Sequence, residues 1–256
     1  MNRYVLSAVI LALTAVMVTA GCVSEDVQKK TYIVGVDSAY PPFTYMQNGE
    51  FTGFDIDSVR WIAESEGFKV VIRPIAWYGA VTLLTSGKID MVYSGMVMNE
   101  ERAARVAFSD VYWTTGIGIA VNNGSSVLRD DVADGRVRVG VERGCSSDMW
   151  LKNHLGAERY AQKVADGSIQ TYDTFPASID GLKAGEVDAV IFIEVVVREY
   201  VRNDPATVLL DTIQTNDSFA VAVRKDDTKL LSQMNAGLAK LKGSEKWDEL
   251  MEKYFG

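Results

Sequence analysis

Two distant stretches decide the fold: Leu84-Thr85-Ser86-Gly87-Lys88-Ile89-Asp90-Met91-Val92 and Leu182-Lys183-Ala184-Gly185-Glu186-Val187-Asp188-Ala189-Val190. In both, a Gly follows the Leu by three residues, an Asp follows it by six, and an apolar run begins after the Asp. The Gly suits the left-handed position that ends a helix. The Asp stands where the next strand should start. The repeat predicts two lobes, each built around the same helix–turn–strand unit.

The surrounding pattern agrees. Residues 31–36 (TYIVGV) and 70–72 (VVI) read as strands. Residues 57–66 have helical spacing at Val59, Ile62 and Ala63 and stop at Gly67; a second helix covers 79–85 and ends before Gly87. Strands alternating with helices predict an α/β fold of mostly parallel sheets covered by helices. Open sheets of this kind bind ligands at the carboxyl ends of their strands. Five residues past Asp90 and Asp188 stand Gly95 and Ile193, the expected strand tips. Two facing lobes would put these tips across one cleft.

The segment after the first tip, residues 96–102 (MVMNEER), carries an anomaly. Asn99 reads as a helix N-cap, and Glu100 and Glu101 suit the positive end of a helix dipole. Arg102 does not, because a cation there lies at the wrong end. It is expected to meet a negative charge in the cleft.

The 256 residues, 48% of them hydrophobic, suffice for one large domain or two modest ones. The formal charge of −8 and the lack of a Lys/Arg cluster argue against nucleic acid as a partner. Two cysteines, Cys22 and Cys145, and one histidine, His154, cannot form a zinc cluster of the usual kind. There is no P-loop and no complete Gly-x-Gly-x-x-Gly, so no nucleotide cofactor is expected. At the N-terminus a short basic start precedes an apolar run at 4–20, closed by Thr19-Ala20-Gly21-Cys22. That reads as an export signal over residues 1–21, followed by a tether over 22–29. The small-small-Cys ending resembles a lipobox, which implies lipid on Cys22, although Thr19 replaces the usual Leu or Val. An uncleaved anchor or ordinary cleavage is the alternative.

Several motifs together resemble the extracytoplasmic solute-binding proteins of polar amino acid ABC importers: Val36-Asp37-Ser38-Ala39-Tyr40-Pro41-Pro42-Phe43, Gly53-Phe54-Asp55-Ile56-Asp57, Glu101-Arg102-Ala103, Phe108-Ser109-Asp110-Val111-Tyr112, Val139-Gly140-Val141-Glu142-Arg143-Gly144 and the ending Glu252-Lys253-Tyr254-Phe255-Gly256. The resemblance implies a periplasmic-binding-protein-like (type II) fold: two lobes, joined by two hinge strands, that close on a ligand. Lobe 1 would hold 30–116 and 218–256, and lobe 2 would hold 117–217 with crossings near 117–121 and 212–217. It implies a monomer that hands its solute to a membrane permease.

The same resemblance implies site residues. Arg102 would grip a ligand carboxylate, a role its planar fork suits. Gly144, Cys145 and Ser146 would complete that site from lobe 2 with backbone N–H groups. Tyr40, Phe54 and Trp77 would clamp the ligand's body, and Asp37 would meet its distal part. Ser94, Gly95, Met96 and Val97 would form the first strand tip. Family members hold an α-ammonium with the carbonyl at Gly95, a hydroxyl at the position of Val97 and an Asp at the position of Ile193. Both side-chain acceptors are aliphatic here, so an ammonium would be short of partners. Glu194 could replace the Asp if the strand were bulged by one residue. The expected ligand is therefore an aromatic or branched organic acid without the α-ammonium, and an ordinary amino acid is the alternative. A dehydratase-like enzyme using Glu194 as general acid, and a sensor working through a membrane receptor, are the rival readings.

Overall fold

A computed structural model describes residues 29–256. The proposed leader, the tether up to residue 28 and Cys22 lie outside the described residues. Among the described residues no helix is long and apolar enough to cross a membrane.

The first sheet is built from β1 (Thr31–Val36), β5 (Lys69–Pro74), β6 (Met91–Val92), β7 (Ala107–Phe108) and β13 (Ala222–Val223), in the order β5-β1-β6-β13-β7. β1 runs parallel to β5 and β6, while β13 returns antiparallel between β6 and β7. The second sheet has the order β10-β9-β11-β8-β12, from β8 (Trp113–Asn122), β9 (Val139–Glu142), β10 (Ile169–Tyr172), β11 (Ala189–Ile193) and β12 (Thr207–Phe219). Here β9 is parallel to β10 and β11, and β8 is antiparallel to β11 and β12. A small antiparallel sheet, β2 (Ala39–Tyr40), β3 (Thr44–Gln47) and β4 (Glu50–Thr52), stands apart from the first sheet.

Helices cover both sheets. The first lobe has α1 (Phe54–Glu66), α2 (Ala80–Thr85), α3 (Glu100–Ala103), α9 (Thr228–Lys242) and α10 (Glu245–Phe255). The second has α4 (Arg129–Ala133), α5 (Ser146–Leu155), α6 (Ala157–Ala165), α7 (Phe175–Lys183) and α8 (Glu194–Arg202). Helix α1 starts at Phe54, three residues before the spacing predicts, because Gly53, at φ 122°, turns the chain tightly against the Phe43 carbonyl.

The repeated stretches perform the same local task in each lobe. Gly87 and Gly185 take φ of 74° and 73°, and each N–H donates back to the leucine carbonyl three residues earlier at 3.1 Å. A Cβ would meet nothing within 4 Å at either position, so it is the positive φ that favours glycine there. Asp90 Oδ2 then accepts the N–H of Ile33 at 2.8 Å, and Asp188 Oδ2 accepts that of Arg138 at 2.9 Å. Each Asp thus ties the start of its own strand to that of the neighbouring parallel strand. An arginine neutralises each: Arg224 for Asp90, Arg138 for Asp188.

The lobes are linked by β8 and β12, which pair from Asn122↔Thr207 down to Trp113↔Phe219. The register shifts between Leu209 and Asp211 and again between Ile213 and Asp217, and Phe219 bridges to Val97 of the first lobe. Such bulges bend and twist a paired ribbon, which lets it run from the second sheet toward the first lobe without joining the first sheet. At its foot Phe43, Phe54, Trp113 and Phe255 pack edge-on and stacked, with Trp113 and Phe255 centroids 4.4 Å apart.

Candidate functional site

The carboxyl ends of β6, β9 and β11 converge on the gap between the lobes. In this structure the gap is closed, enclosing only about 10 Å³, space for one water at most. Its walls are Asp37, Tyr40, Trp77, Gly95, Val97 and Arg102 from the first lobe, and Glu142, Cys145, Ser146, Phe192 and Ile193 from the second.

Arg102 sits in α3, whose first turn is capped by Asn99; the Asn99 side chain accepts the Arg102 N–H at 2.8 Å. Arg102 is only 7% exposed, with its guanidinium turned inward. It donates to the carbonyl of Val97 at 2.8 Å and to that of Gly144, across the cleft, at 3.0 Å. The Trp77 ring lies 5.6 Å away. Among the described residues no carboxylate forms an ion pair with it. Burial pulls its pKa down, the signature of a desolvated cation.

Gly95 takes φ 57°, and a Cβ there would lie 2.5 Å from the Tyr40 ring. Its N–H is held by Asp55 Oδ2 at 2.8 Å and by the Tyr112 hydroxyl oxygen at 3.1 Å. Asp55 is wholly buried, and burial raises its carboxyl pKa to about 7. Asp37 is also buried, with Oδ1 accepting from the Ala39 N–H; burial raises its pKa.

Glu142 ends β9 at 1% exposure, and neither carboxylate oxygen has a partner. Burial, with a smaller push from Asp37, raises its pKa to about 9. Beside it, Cys145 caps α5 through Sγ, which accepts the Asp148 N–H; burial first and Glu142 second push its thiol up to about 12. A thiol held there is a poor nucleophile. The Ser146 and Tyr40 hydroxyls are buried without partners too. Buried polar atoms are normally paired, so a run of orphans around one closed gap marks a place where something polar fits.

The sequence profile of the bacterial extracellular solute-binding proteins, family 3, matches residues 32–256. The chain belongs to that family. It is similar to the L-cystine-binding protein TcyJ of Escherichia coli (strain K12), with 28% identity over 242 residues, 92% of this chain and 86% of that one. Among solved structures it is similar to an ancestral arginine-binding protein bound to arginine, at TM-score 0.81 and 33% identity over 89% of this chain and 99% of that one. It is also similar to the ancestral amino acid-binding protein AncCDT-1, a precursor of cyclohexadienyl dehydratase, at TM-score 0.77 and 32% identity over 88% and 96%. Its architecture is that of a two-lobed periplasmic binding protein.

Within this solute-binding protein, several expected residues lie elsewhere than the cavity. Phe54 is completely buried in the first lobe's core, against Phe43, Trp113 and Trp247, because the early start of α1 turns it inward. Ser94 supports the wall from behind: its hydroxyl oxygen accepts the Asp37 N–H at 3.0 Å and meets the Thr44 hydroxyl at 2.7 Å. Met96 packs beside Leu84, Ile89 and Val106 and borders only the outer groove. Gly144 also borders that groove; its N–H is taken by Asp148 at 2.8 Å, so it has none to offer a carboxylate.

Glu194 does not replace the missing Asp. It is the first residue of α8 and pairs with Arg198 one turn on, both contacts at 2.8 Å. Strand β11 keeps regular pairing with β8 up to Ile193, so no bulge moves Glu194 to the tip. Glu142 and Phe192 were missed as wall residues. Glu142 stands inside the quoted Val-Gly-Val-Glu motif as the final residue of a strand, which was the available signal. Phe192 sits one residue before the expected tip; it stacks on Phe175 at 4.4 Å and meets Tyr40 edge-on at 5.6 Å.

Proposed function

We propose that this protein is a lipid-anchored receptor that captures one small carboxylate-bearing solute between its lobes and delivers it, as a monomer, to an ABC importer. One observation carries the reading: the buried Arg102 guanidinium has only two carbonyls as partners and no anion. A ligand carboxylate supplies that anion and can engage both arms of the fork. Because Arg102 also touches Gly144 of the other lobe, the carboxylate lands where both lobes can feel it. Ligand then shifts the open–closed equilibrium by its extra affinity for the closed form.

The ligand's α-position carries no ammonium in this reading. Val97 and Ile193 support it, since both line the cavity and Glu194 is engaged with Arg198. The ligand's apolar stretch then lies against Tyr40, Trp77 and Phe192. An ordinary amino acid is the second reading, favoured by relatives named for binding cystine, histidine and arginine. The Gly95 carbonyl would be its ammonium acceptor. We read the protein as a binder without turnover, in keeping with relatives named for binding cystine and arginine.

The test is calorimetry with matched pairs, each amino acid against its deaminated or keto acid. The acid should bind more tightly in each pair. Tighter binding of a common amino acid would establish the second reading. Incubation of cyclic carboxylic acids with the protein should show no conversion, and measurable turnover would make it an enzyme.

A further inference from the structure

Gly144 meets Arg102 across the cleft because the turn it sits in is held from two sides. The chain turns there directly after β9. The Cys145 N–H donates back to the Glu142 carbonyl at 3.2 Å. In a trans peptide the N–H and the C=O point in opposite directions. That bond therefore aims the Gly144 carbonyl away from its own strand and toward Arg102 Nη2, 3.0 Å away. On the other side of the residue, the Gly144 N–H donates to Asp148 Oδ2 at 2.8 Å. Asp148 lies in the first turn of α5, where a carboxylate suits the helix dipole. Its other oxygen accepts the hydroxyl of Tyr160, which stands in α6 and packs on the core of the second lobe. A line of contacts thus runs from that core through Tyr160 and Asp148 to Gly144, and across the cleft to Arg102.

Two more observations bear on this line. Asp148 borders the same outer groove as Arg102, but both its oxygens are taken within the second lobe. Asn99, which caps the Arg102 turn, donates from Nδ2 to the sulfur of Met149, the neighbour of Asp148, at 3.5 Å. The first turns of α3 and α5 therefore meet through Arg102 and Gly144 and again through Asn99 and Met149. We propose that Asp148 and Tyr160 are positioning residues for lobe closure: they hold the Gly144 carbonyl facing Arg102 and so set how firmly the cleft stays shut. Neither lines the enclosed space. Their role follows from the contact between Arg102 and Gly144, and it is the same for an organic acid and an amino acid. Without the Tyr160 hydroxyl, one Asp148 oxygen is left to water, the carboxylate can rotate, and the Gly144 turn loses its fixed acceptor.

The experiment reads closure with no solute present. Cys145 is a wall residue only 3% exposed in the closed form, so its alkylation by iodoacetamide requires opening. Peptide mass spectrometry on the full chain follows the rate at that thiol. Tyr160→Phe should be alkylated roughly tenfold faster than the unaltered protein, since a hydrogen bond to a charged acceptor is worth more than a neutral one. Asp148→Ala should be faster as well. Asp148→Asn should stay near the unaltered rate, because it keeps an oxygen for the Gly144 N–H and an amide for the Tyr160 hydroxyl oxygen. Arg102→Ala supplies the deciding background. It opens the cleft from the opposite lobe, so Tyr160→Phe should add nothing further there. An unchanged rate in Tyr160→Phe would overturn the proposal. So would a Tyr160→Phe effect of the same size with and without Arg102, which would mean local loosening around Cys145 and not a role in closure. Asp148→Asn alkylated as fast as Asp148→Ala would also overturn it. Should Asp148→Ala fail to fold, the Tyr160→Phe comparisons decide alone.

Discussion

Arg102 of the first lobe donates to the carbonyl of Gly144 in the second at 3.0 Å, and to the carbonyl of Val97 in its own lobe at 2.8 Å. The guanidinium therefore links the two lobes and has no ion-pair partner among the described residues. Under the proposed reading a ligand carboxylate would compete for the same N–H groups and offer a full charge in place of a carbonyl dipole.

Arg102→Ala should remove useful binding. Truncating one partner of a buried charge pair costs ~2–5 kcal/mol, roughly 30- to 4000-fold in affinity. The unliganded variant should also open, since the link between the lobes is gone, and small-angle scattering should show a larger radius of gyration. Near-native affinity would remove the carboxylate role.

Rebuilding the two absent acceptors should reverse ligand preference. In Val97→Thr combined with Ile193→Asp, a hydroxyl and a carboxylate join the Gly95 carbonyl around an α-ammonium. Each restored contact is worth about 1–3 kcal/mol. Amino acids should gain tenfold or more over their deaminated partners by calorimetry. No gain would mean that these positions do not face the α-carbon.

Asp55 should make stability depend on pH in a defined window. Its carboxyl rises from the usual 3.8 to about 7 in the fold. Between those values the folded protein holds a proton that the unfolded chain has lost. Stability therefore falls as pH rises through the window, by about 4 kcal/mol as an upper figure. Asp55→Asn removes the titration and leaves an acceptor for the Gly95 N–H. The melting-temperature difference, variant minus unaltered protein, should grow from pH 4 to pH 8, and a flat difference would show that Asp55 is not the titrating group.

Phe54→Ala should cost stability and not specificity. Deleting a fully buried Phe costs ~3–5 kcal/mol, and Phe54 touches the core aromatics but not the cavity. Denaturant unfolding should show the loss. Below the midpoint the folded fraction should bind ligand with unaltered affinity, and a changed affinity would return Phe54 to the site.

Cys22 should carry lipid. Intact-mass analysis of membrane-bound protein should show residues 1–21 removed and acyl chains added. A chain that keeps Met1 would be held by an uncleaved anchor instead.

The parts legible in the sequence are those whose physics is local. The Leu–Gly–Asp spacing requires a left-handed turn and then a side chain that reaches the next strand's N–H, and both copies do this through Gly87 and Asp90, Gly185 and Asp188. Asn99 capping the Arg102 turn is equally local, so the inward cation could be read in advance. The tip at Ile193 follows from counting along β11, whereas β6 ends at Val92 and Gly95 and Val97 reach the cavity wall through the turn and bridge beyond it.

Only the tertiary structure decided which long-range neighbours each side chain met. Phe54 and Tyr40 are both apolar aromatics after a turn, yet one is sealed among Trp113, Trp247 and Phe255 and the other reaches Phe192 across the cleft. Glu194 and Glu142 both stand at strand ends. Arg198 lies one helical turn from Glu194 and neutralises it. Arg143 follows Glu142 directly but turns to Asp173 and Tyr78, and the charged neighbour of Glu142 is Asp37, 105 positions earlier in the chain. A carboxylate's fate depends on the sign of what surrounds it and on exclusion of water, and both are set by how two lobes meet.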